Sequence, residues 1–456
     1  MRVMKFGGGC LRSPSDFRRV SNILESFTDP IIVVVSAVYG VTNKLESAAQ
    51  SALDSEEAIS PIITDLRDQH FEIAASEIQD PEEYHNTSQQ LDRIFDKIER
   101  LLYGLAYIGE IFEPIRILLL SQGERLSSVL LAGILRSYGN LSVSLESEQI
   151  GLVTDACYDN ATANLSAIKM NLLECIPAYL EQGCIPVITG FFGCTETGRV
   201  TSFGRNGSDY STSVIAHALG AKTIDIWKDV DGFMTADPRL VSHSVPIETL
   251  SYREAAELSY FGARVLHPRT VEPLIGTFTE VFVRNVHNPS SRGTLIQCDG
   301  HEHHDVIKSV TYNLDIAVLK IHGAGVGHKP GIIGDIGDHL SAERINIYSV
   351  ITSQTCINLI IDAKDASRSK TSLQPLVGGV IEKLELRIDV ALIAVVGEGL
   401  LSTKGLAAKV FSAVAAEGIN VEMFSAGASE VAYYFIVKKN QMRSAIESVH
   451  RQFFAR

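Results

Sequence analysis

Three things are missing from this sequence of 456 residues. It has no Cys-x-x-Cys pair; its seven cysteines, at 10, 157, 175, 184, 194, 298 and 356, are scattered. That spacing argues against a disulfide frame or a cysteine zinc site and suits reduced thiols in the cytoplasm. It has no excess of positive charge, and a formal net charge of −14 speaks against a nucleic-acid or anionic-membrane partner. No apolar run approaches the roughly 20 residues that span a bilayer. The N-terminus enters a strand directly, without a signal or transit pattern.

What is present is a composition of 45% hydrophobic and 21% charged residues, ordinary for a soluble globular protein. The length suggests about two to four domains. The first ten residues read as a short strand carrying Lys5 that runs into Gly7, Gly8 and Gly9. Consecutive glycines let backbone amides approach phosphate oxygens, and a neighbouring lysine can neutralise a transferring phosphoryl group. A tight turn with a solvated lysine fits the same residues. The run is neither a P-loop nor a dinucleotide fingerprint.

A helix is expected from about Asp16 to Phe27, then a buried strand over the continuous run Pro30–Val35, followed by the hydroxyls of Ser36 and Thr42. Hydroxyls at a strand's carboxyl end can meet ligand or cap the next helix. Residues from about 44 to 110 read as helices, with one apolar stripe from Leu91 to Ile108. Glu124 opens an apolar helix that reaches about Ser137. Strands are expected near 141–145 and 185–189, with a helix from about Ala161 to Glu181 between them. A second cluster, Gly204-Arg205-Asn206-Gly207-Ser208-Asp209, precedes a helix from about Ser211 to Leu219 and has the composition of an anion site. Asp209 as a helix N-terminal acid and Arg205 as a surface cation fit the same residues. A strand at 221–227 leads into Lys228-Asp229, and two strands near 281–285 and 294–297 close the sheet. Alternating strands and helices over residues 1–298 imply a doubly wound, mainly parallel αβα sandwich.

Residues 299–308 form a linker whose histidines at 301, 303 and 304 lack a second ligand cluster, so no metal site is expected. The remainder repeats a pattern of strand, glycine loop, helix, strand, strand, each unit about 70 residues long. A helix is expected after each, at about Thr371–Leu384 and Gln441–Phe454.

Taken in order, these motifs resemble the aspartate kinases. The residues that carry the resemblance are Lys5-Phe6-Gly7-Gly8, Ser36-Ala37 with Gly40-Val41-Thr42-Asn43, Gly123-Glu124, Gly204-Arg205 with Gly207-Ser208-Asp209, Asp229-Val230-Asp231-Gly232, Thr235-Ala236-Asp237-Pro238-Arg239, and Phe261-Gly262-Ala263 with Val265-Leu266-His267-Pro268. The resemblance implies an amino-acid kinase fold over 1–298, followed by two βαββαβ, ferredoxin-like ACT domains at 309–385 and 386–456. It implies that segment 306–313 can pair with the last unit. The implied reaction takes ATP, with Mg²⁺, and L-aspartate to 4-phospho-L-aspartate, the first step toward lysine, threonine and methionine. Lys5 and Asp209 would be catalytic. Ser36, Thr42, Glu124 and Arg205 would hold aspartate. Lys5, Gly7, Gly8, Gly9, Lys228, Asp229, Phe233, Arg239 and Arg264 would hold the nucleotide. Lysine or threonine would act as effector near Ile333, Ser353 and Gln354, and the chain would form a homodimer or larger assembly. Gly9 and Cys10 stand where the family has Thr-Ser, Asn206 replaces a glycine, Lys228 a threonine and Arg264 a lysine. No acid stands beside Ser353 and Gln354 to hold an effector ammonium. Two alternatives stand beside it: a kinase for another acidic amino acid, because Glu124 and Arg205 would recognise only the amino-acid end, and a non-catalytic amino-acid sensor, to which the departures at Gly9, Cys10 and Asn206 point.

Overall fold

The computed structural model describes residues 1–263, 265–298 and 306–455. The chain divides into two compact units. The first comprises Met1–Phe233, Pro246–Ala256 and Arg264–His301. Its sheet has eight strands: β1 Arg2–Phe6, β2 Ile31–Val35, β3 Ser142–Leu145, β4 Ile185–Thr189, β7 Thr223–Lys228, β8 Thr249–Ser251, β9 Glu280–Asn285 and β10 Thr294–Gln297. The small hairpin of β5 Phe192–Cys194 and β6 Val200–Ser202 stands apart as a two-stranded ribbon. The strand order is β3-β4-β2-β1-β7-β9-β10-β8. Every pairing but β9 with β10 is parallel. The doubly wound, mainly parallel sheet read from the sequence is therefore present. The strand β8 carries no signal that the sequence reading registered.

Side chains alternate along a strand, and this decides what each face of β1 does. Met4 and Phe6 enter a core with Val33 and Val35. The same core takes Phe17 of α1 (Pro14–Glu25), Leu45 of α2 (Val41–Asp54), Leu66 of α3 (Ile59–Glu77), Phe95 and Leu102 of α4 (Pro81–Ile108), Leu119 of α5 (Glu113–Leu120), and Leu130 of α6 (Gln122–Ser137). Lys5 lies between Met4 and Phe6 and so points to the other face. There it meets α8 (Gly207–Leu219), which follows α7 (Leu165–Glu181).

Residues Glu113–Ser137 together are long and apolar enough to cross a membrane, which corrects the expectation that no such run exists. Within it, 94% of the most apolar 18-residue window is buried, as in a core helix. Hydroxyls that it would expose to lipid turn back on the helix: Ser127 Oγ donates to Gly123 O, 3.2 Å away.

The second unit comprises Met234–Val245, Glu257–Ala263 and Glu302–Arg456. The sequence reading assigned the first two segments to the kinase domain; the structure places them here. The last turn of α9 (Tyr252–Tyr260) and Phe261 belong to this unit, and Phe261 packs at 4.9 Å from Tyr434. Two four-stranded antiparallel sheets follow. One has the order β11-β16-β18-β17, from Ser309–Asn313, Val390–Val396, Ala432–Lys438 and Met423–Ser425. The other has the order β13-β14-β12-β15, from Ile347–Thr352, Cys356–Asp362, Ile316–His322 and Lys383–Arg387. Strand β11 pairs with β16 across an intervening segment of chain that builds the other sheet, so one module is inserted into its neighbour. The helices are α10 (Ile332–Ala342), α11 (Ala366–Leu373), α12 (Leu406–Ala416) and α13 (Met442–Phe454). The helix expected at 371–384 is corrected. Helix α11 ends at Leu373, Gly378 takes a positive φ of 116°, and Lys383–Arg387 is a strand on β12.

Close helix packing yields one prediction. A Cβ on Gly133 of α6 would stand 2.2 Å from Thr87 Oγ1 on α4. We expect Gly133→Ala to destabilise the protein by about 1–3 kcal/mol in denaturant unfolding. Adding Thr87→Ala should recover most of the loss; no recovery would place the strain elsewhere.

Candidate functional site

The site grows from the carboxyl ends of β1 and β7, where open α/β sheets bind ligands. Lys5 pairs in register with Ile226 and Phe6 with Trp227, so Lys228 follows at the end of the neighbouring strand. Between the two lysines stands Asp209, in the first turn of α8. Lys5 Nζ lies 2.7 Å from Asp209 Oδ1 and Lys228 Nζ 3.0 Å from Oδ2. All three side chains are largely withdrawn from water. Burial alone would push the Asp209 carboxyl up. The Lys228 and Lys5 ammoniums outweigh it and hold the group down at about 2. One carboxylate is shared by two ammoniums, so the cluster carries one uncompensated positive charge.

The backbone around the cluster is shaped by small residues. A Cβ on Gly7 would come within 3.1 Å of Lys5 Nζ, and one on Gly8 within 3.0 Å of Ala37 O. On Gly9 it would press at 3.2 Å on the Asp229 carboxyl, which instead takes Arg12 at 2.8 Å. Cys10 is buried, which pushes its thiol up to about 11; it donates to Trp227 O at 3.3 Å as a neutral S–H. Asn206 begins α8 with φ 54° and ψ 29°, the left-handed conformation that asparagine tolerates better than most residues. The asparagine thus keeps the backbone that a glycine would take.

Beside this cluster opens a cleft of about 520 Å³, lined by Gly8, Ser36, Thr42, Glu124, Arg205 and Ser208 among others. Glu124 is 4% exposed. Its Oε1 accepts from Ala37 N at 3.2 Å, while Oε2 has no hydrogen-bond partner among the described residues. Burial drives its carboxyl up to about 8 against that amide. Arg205 is exposed at the rim. Three further lining residues, Glu46, Arg116 and Asp159, were not singled out from the sequence. Arg116 donates to Glu46 at 2.7 Å and to Glu113 at 2.8 Å. Nothing local marks them, since they converge only through tertiary structure.

Other proposed positions fall elsewhere. Phe233 is 1% exposed, its amide donating to Thr294 Oγ1 at 2.9 Å. Arg239 belongs to the second unit, where its side chain is 79% exposed and its Nη2 lies 2.7 Å from Asp237 Oδ2. Arg264 and the histidines at 301, 303 and 304 lie outside the described residues. In the second unit Ile333, Ser353 and Gln354 are exposed, and Gly327 N donates to Gln354 O at 3.4 Å.

Comparison with known proteins agrees with this geometry. The model of the amino acid kinase family matches residues 1–285, and an ACT domain model matches residues 393–453. Aspartokinase 3, chloroplastic, of Arabidopsis thaliana is 30% identical over 99% of this chain and 81% of its own length. The bifunctional aspartokinase/homoserine dehydrogenase of Buchnera aphidicola is 29% identical over 100% of this chain but only 56% of its own. The chain thus spans about half the length of such bifunctional relatives. Among solved structures, E. coli aspartokinase III in complex with aspartate and ADP matches with a TM-score of 0.85 and 26% identity, covering 100% of both chains. The same enzyme in complex with lysine and aspartate gives 0.83 and 27%, covering 100% of this chain and 99% of that one. The chain belongs to the amino acid kinase family. Its relatives there are aspartokinases, and it carries the ACT architecture C-terminal to the kinase fold.

The state of Glu124 can be tested without any ligand. Its folded pKa of about 8 exceeds the ordinary 4.5, so the folded chain binds this proton more tightly than the unfolded chain. Stability from this group is full below the ordinary value and is lost as pH climbs to the raised one. Glu124→Gln should therefore raise the melting temperature at pH 8 by more than at pH 5. An equal gain at both pH values would contradict the burial argument.

Proposed function

We propose that this chain is an aspartate kinase, transferring the terminal phosphoryl group of ATP to the side-chain carboxylate of L-aspartate. A carboxylate oxygen attacks the γ-phosphorus, the bond to the ADP oxygen breaks, and 4-phospho-L-aspartate and ADP leave. The acceptor is ionised at neutral pH, so no general base is required. What the reaction needs is two anions held together with their repulsion screened.

The observation that carries this reading is the buried Lys5–Asp209–Lys228 cluster beside a cleft that holds a buried carboxyl group, Glu124, whose Oε2 has no hydrogen-bond partner among the described residues. The residual positive charge suits a phosphoryl group whose own charge grows on its equatorial oxygens. Asp209, pinned from both sides, orients the two ammoniums. Gly7 and Gly8 present backbone without a Cβ to the phosphates. Glu124 Oε2 takes the substrate's α-ammonium, whose positive charge draws the raised carboxyl back to its ionised form, and Arg205 takes the α-carboxylate in a charge-assisted fork. Ser36 and Thr42 hold the reacting carboxylate from the opposite wall. Mg²⁺ would arrive with the nucleotide. Asp209 and Asp229 are each taken by cations, so these residues offer the ion no dedicated set of carboxylates.

The second unit supports feedback control by an amino acid such as lysine, the ligand with which E. coli aspartokinase III has been crystallised. Ser353 and Gln354 are neutral, which leaves the effector ammonium without an acid on that turn. A homodimer or larger assembly through the ACT sheets and a cytoplasmic setting belong to the same proposal. The cytoplasmic setting is supported by seven unbridged cysteines.

Coupled detection of ADP, with hydroxylamine trapping of the acyl phosphate, tests the activity. We expect turnover with L-aspartate and much less with L-glutamate; a preference for another acidic amino acid would move the assignment to that substrate. ATP binding without turnover would favour a sensor. Lys5→Ala should cost a factor on the order of 10³ in turnover with the fold intact.

A further inference from the structure

Arg205 has to aim its guanidinium into the cleft, yet among the described residues it has no ion pair or side-chain hydrogen bond to hold it. Its direction is set by backbone alone. Gly204 before it has φ 78° and Asn206 after it φ 54°, so the chain reverses on both sides of Arg205. Whatever anchors Phe203 therefore aims Arg205.

The Phe203 amide donates to Phe191 O at 2.9 Å, and its carbonyl is held by Arg269. The Arg269 side chain is 20% exposed. Its Nη2 donates to Ala161 O at 2.9 Å and its Nη1 to Phe203 O at 3.3 Å. The same Nη1 donates to Asn160 Oδ1. The guanidinium lies 4.5 Å from the centre of the Tyr210 ring, on the first turn of α8. One planar fork thus ties together the 160–161 turn, the last residue before the Arg205 loop, and the helix that carries Asp209. Asn160 itself takes φ 60°, and its Oδ1 would lie 3.1 Å from a Cβ on Gly204. Lysine cannot reproduce this arrangement, because it has neither the fork nor the stacking plane.

We infer that Arg269 is a positioning residue that sets the grip of Arg205 on the α-carboxylate of the amino-acid substrate. The inference rests on the activity proposed above. Arg269 touches none of Lys5, Gly7 and Gly8 among the described contacts, and it meets the Asp209 helix only through the ring of Tyr210, so the effect should fall more on aspartate than on the nucleotide.

The test is steady-state kinetics of the full chain for Arg269→Gln, Arg269→Lys and Asn160→Ala, each checked by thermal melting. Arg269→Gln should raise KM for aspartate by ~10-fold or more, as a small misplacement of a binding group can. The kcat and the KM for ATP should change by less than ~3-fold. Arg269→Lys and Asn160→Ala should shift in the same direction by smaller factors, and they carry the test should Arg269→Gln fail to fold. Parallel loss of kcat and of both KM values would mark a general structural role and overturn the inference. So would an unchanged KM for aspartate in all three variants, with the activity itself standing. No turnover in the wild-type protein would remove the activity proposal, and this inference with it.

Discussion

One buried carboxylate between two ammoniums governs this molecule. Asp209 is 1% exposed, and an ionised acid in such a place is costly unless paired. Lys5 and Lys228 meet that cost from two neighbouring parallel strands. The pairing fixes the register of α8 against β1 and β7, and so fixes where the glycine run lies relative to the Arg205 loop. A sheet with these two strands displaced by one residue would turn Lys5 into the apolar core beside Met4 and Phe6, because side chains alternate with a period of two.

The departures at residues 9, 10 and 228 form one arrangement. Gly9 leaves room for the Asp229 carboxyl at a distance that a side chain would occupy. Cys10 is turned inward on Trp227 O. The positive charge of Lys228 stands on Asp209, at the carboxyl end of the strand beside β1.

Much of this was legible in the sequence. Lys5, Glu124, Arg205 and Asp209 stand beside glycines at strand or helix ends, and such local signals survive without a structure. Lys228 was read as a nucleotide ligand, but its position on Asp209 depends on β7 lying beside β1, which no local pattern states. Arg116, Glu46 and Asp159 were invisible for the same reason. The helix expected over 371–384 failed because Gly378 and Gly379 break it, and because the alternation of Leu384 and Leu386 was outweighed by the helical pattern before it. Segments 234–245 and 257–263 carry motifs of the kinase family while belonging structurally to the second unit, a division that only three-dimensional packing reveals.

The central claim is that Asp209 acts through its charge on Lys5 and Lys228. A single-turnover measurement on Asp209→Asn, with saturating ATP and L-aspartate, addresses it directly. The side chain keeps its shape and loses its charge. The structure predicts a phosphoryl-transfer rate lower by roughly 10²-fold or more, with nucleotide binding retained. A rate equal to that of the wild type would show that the two lysines need no anion between them.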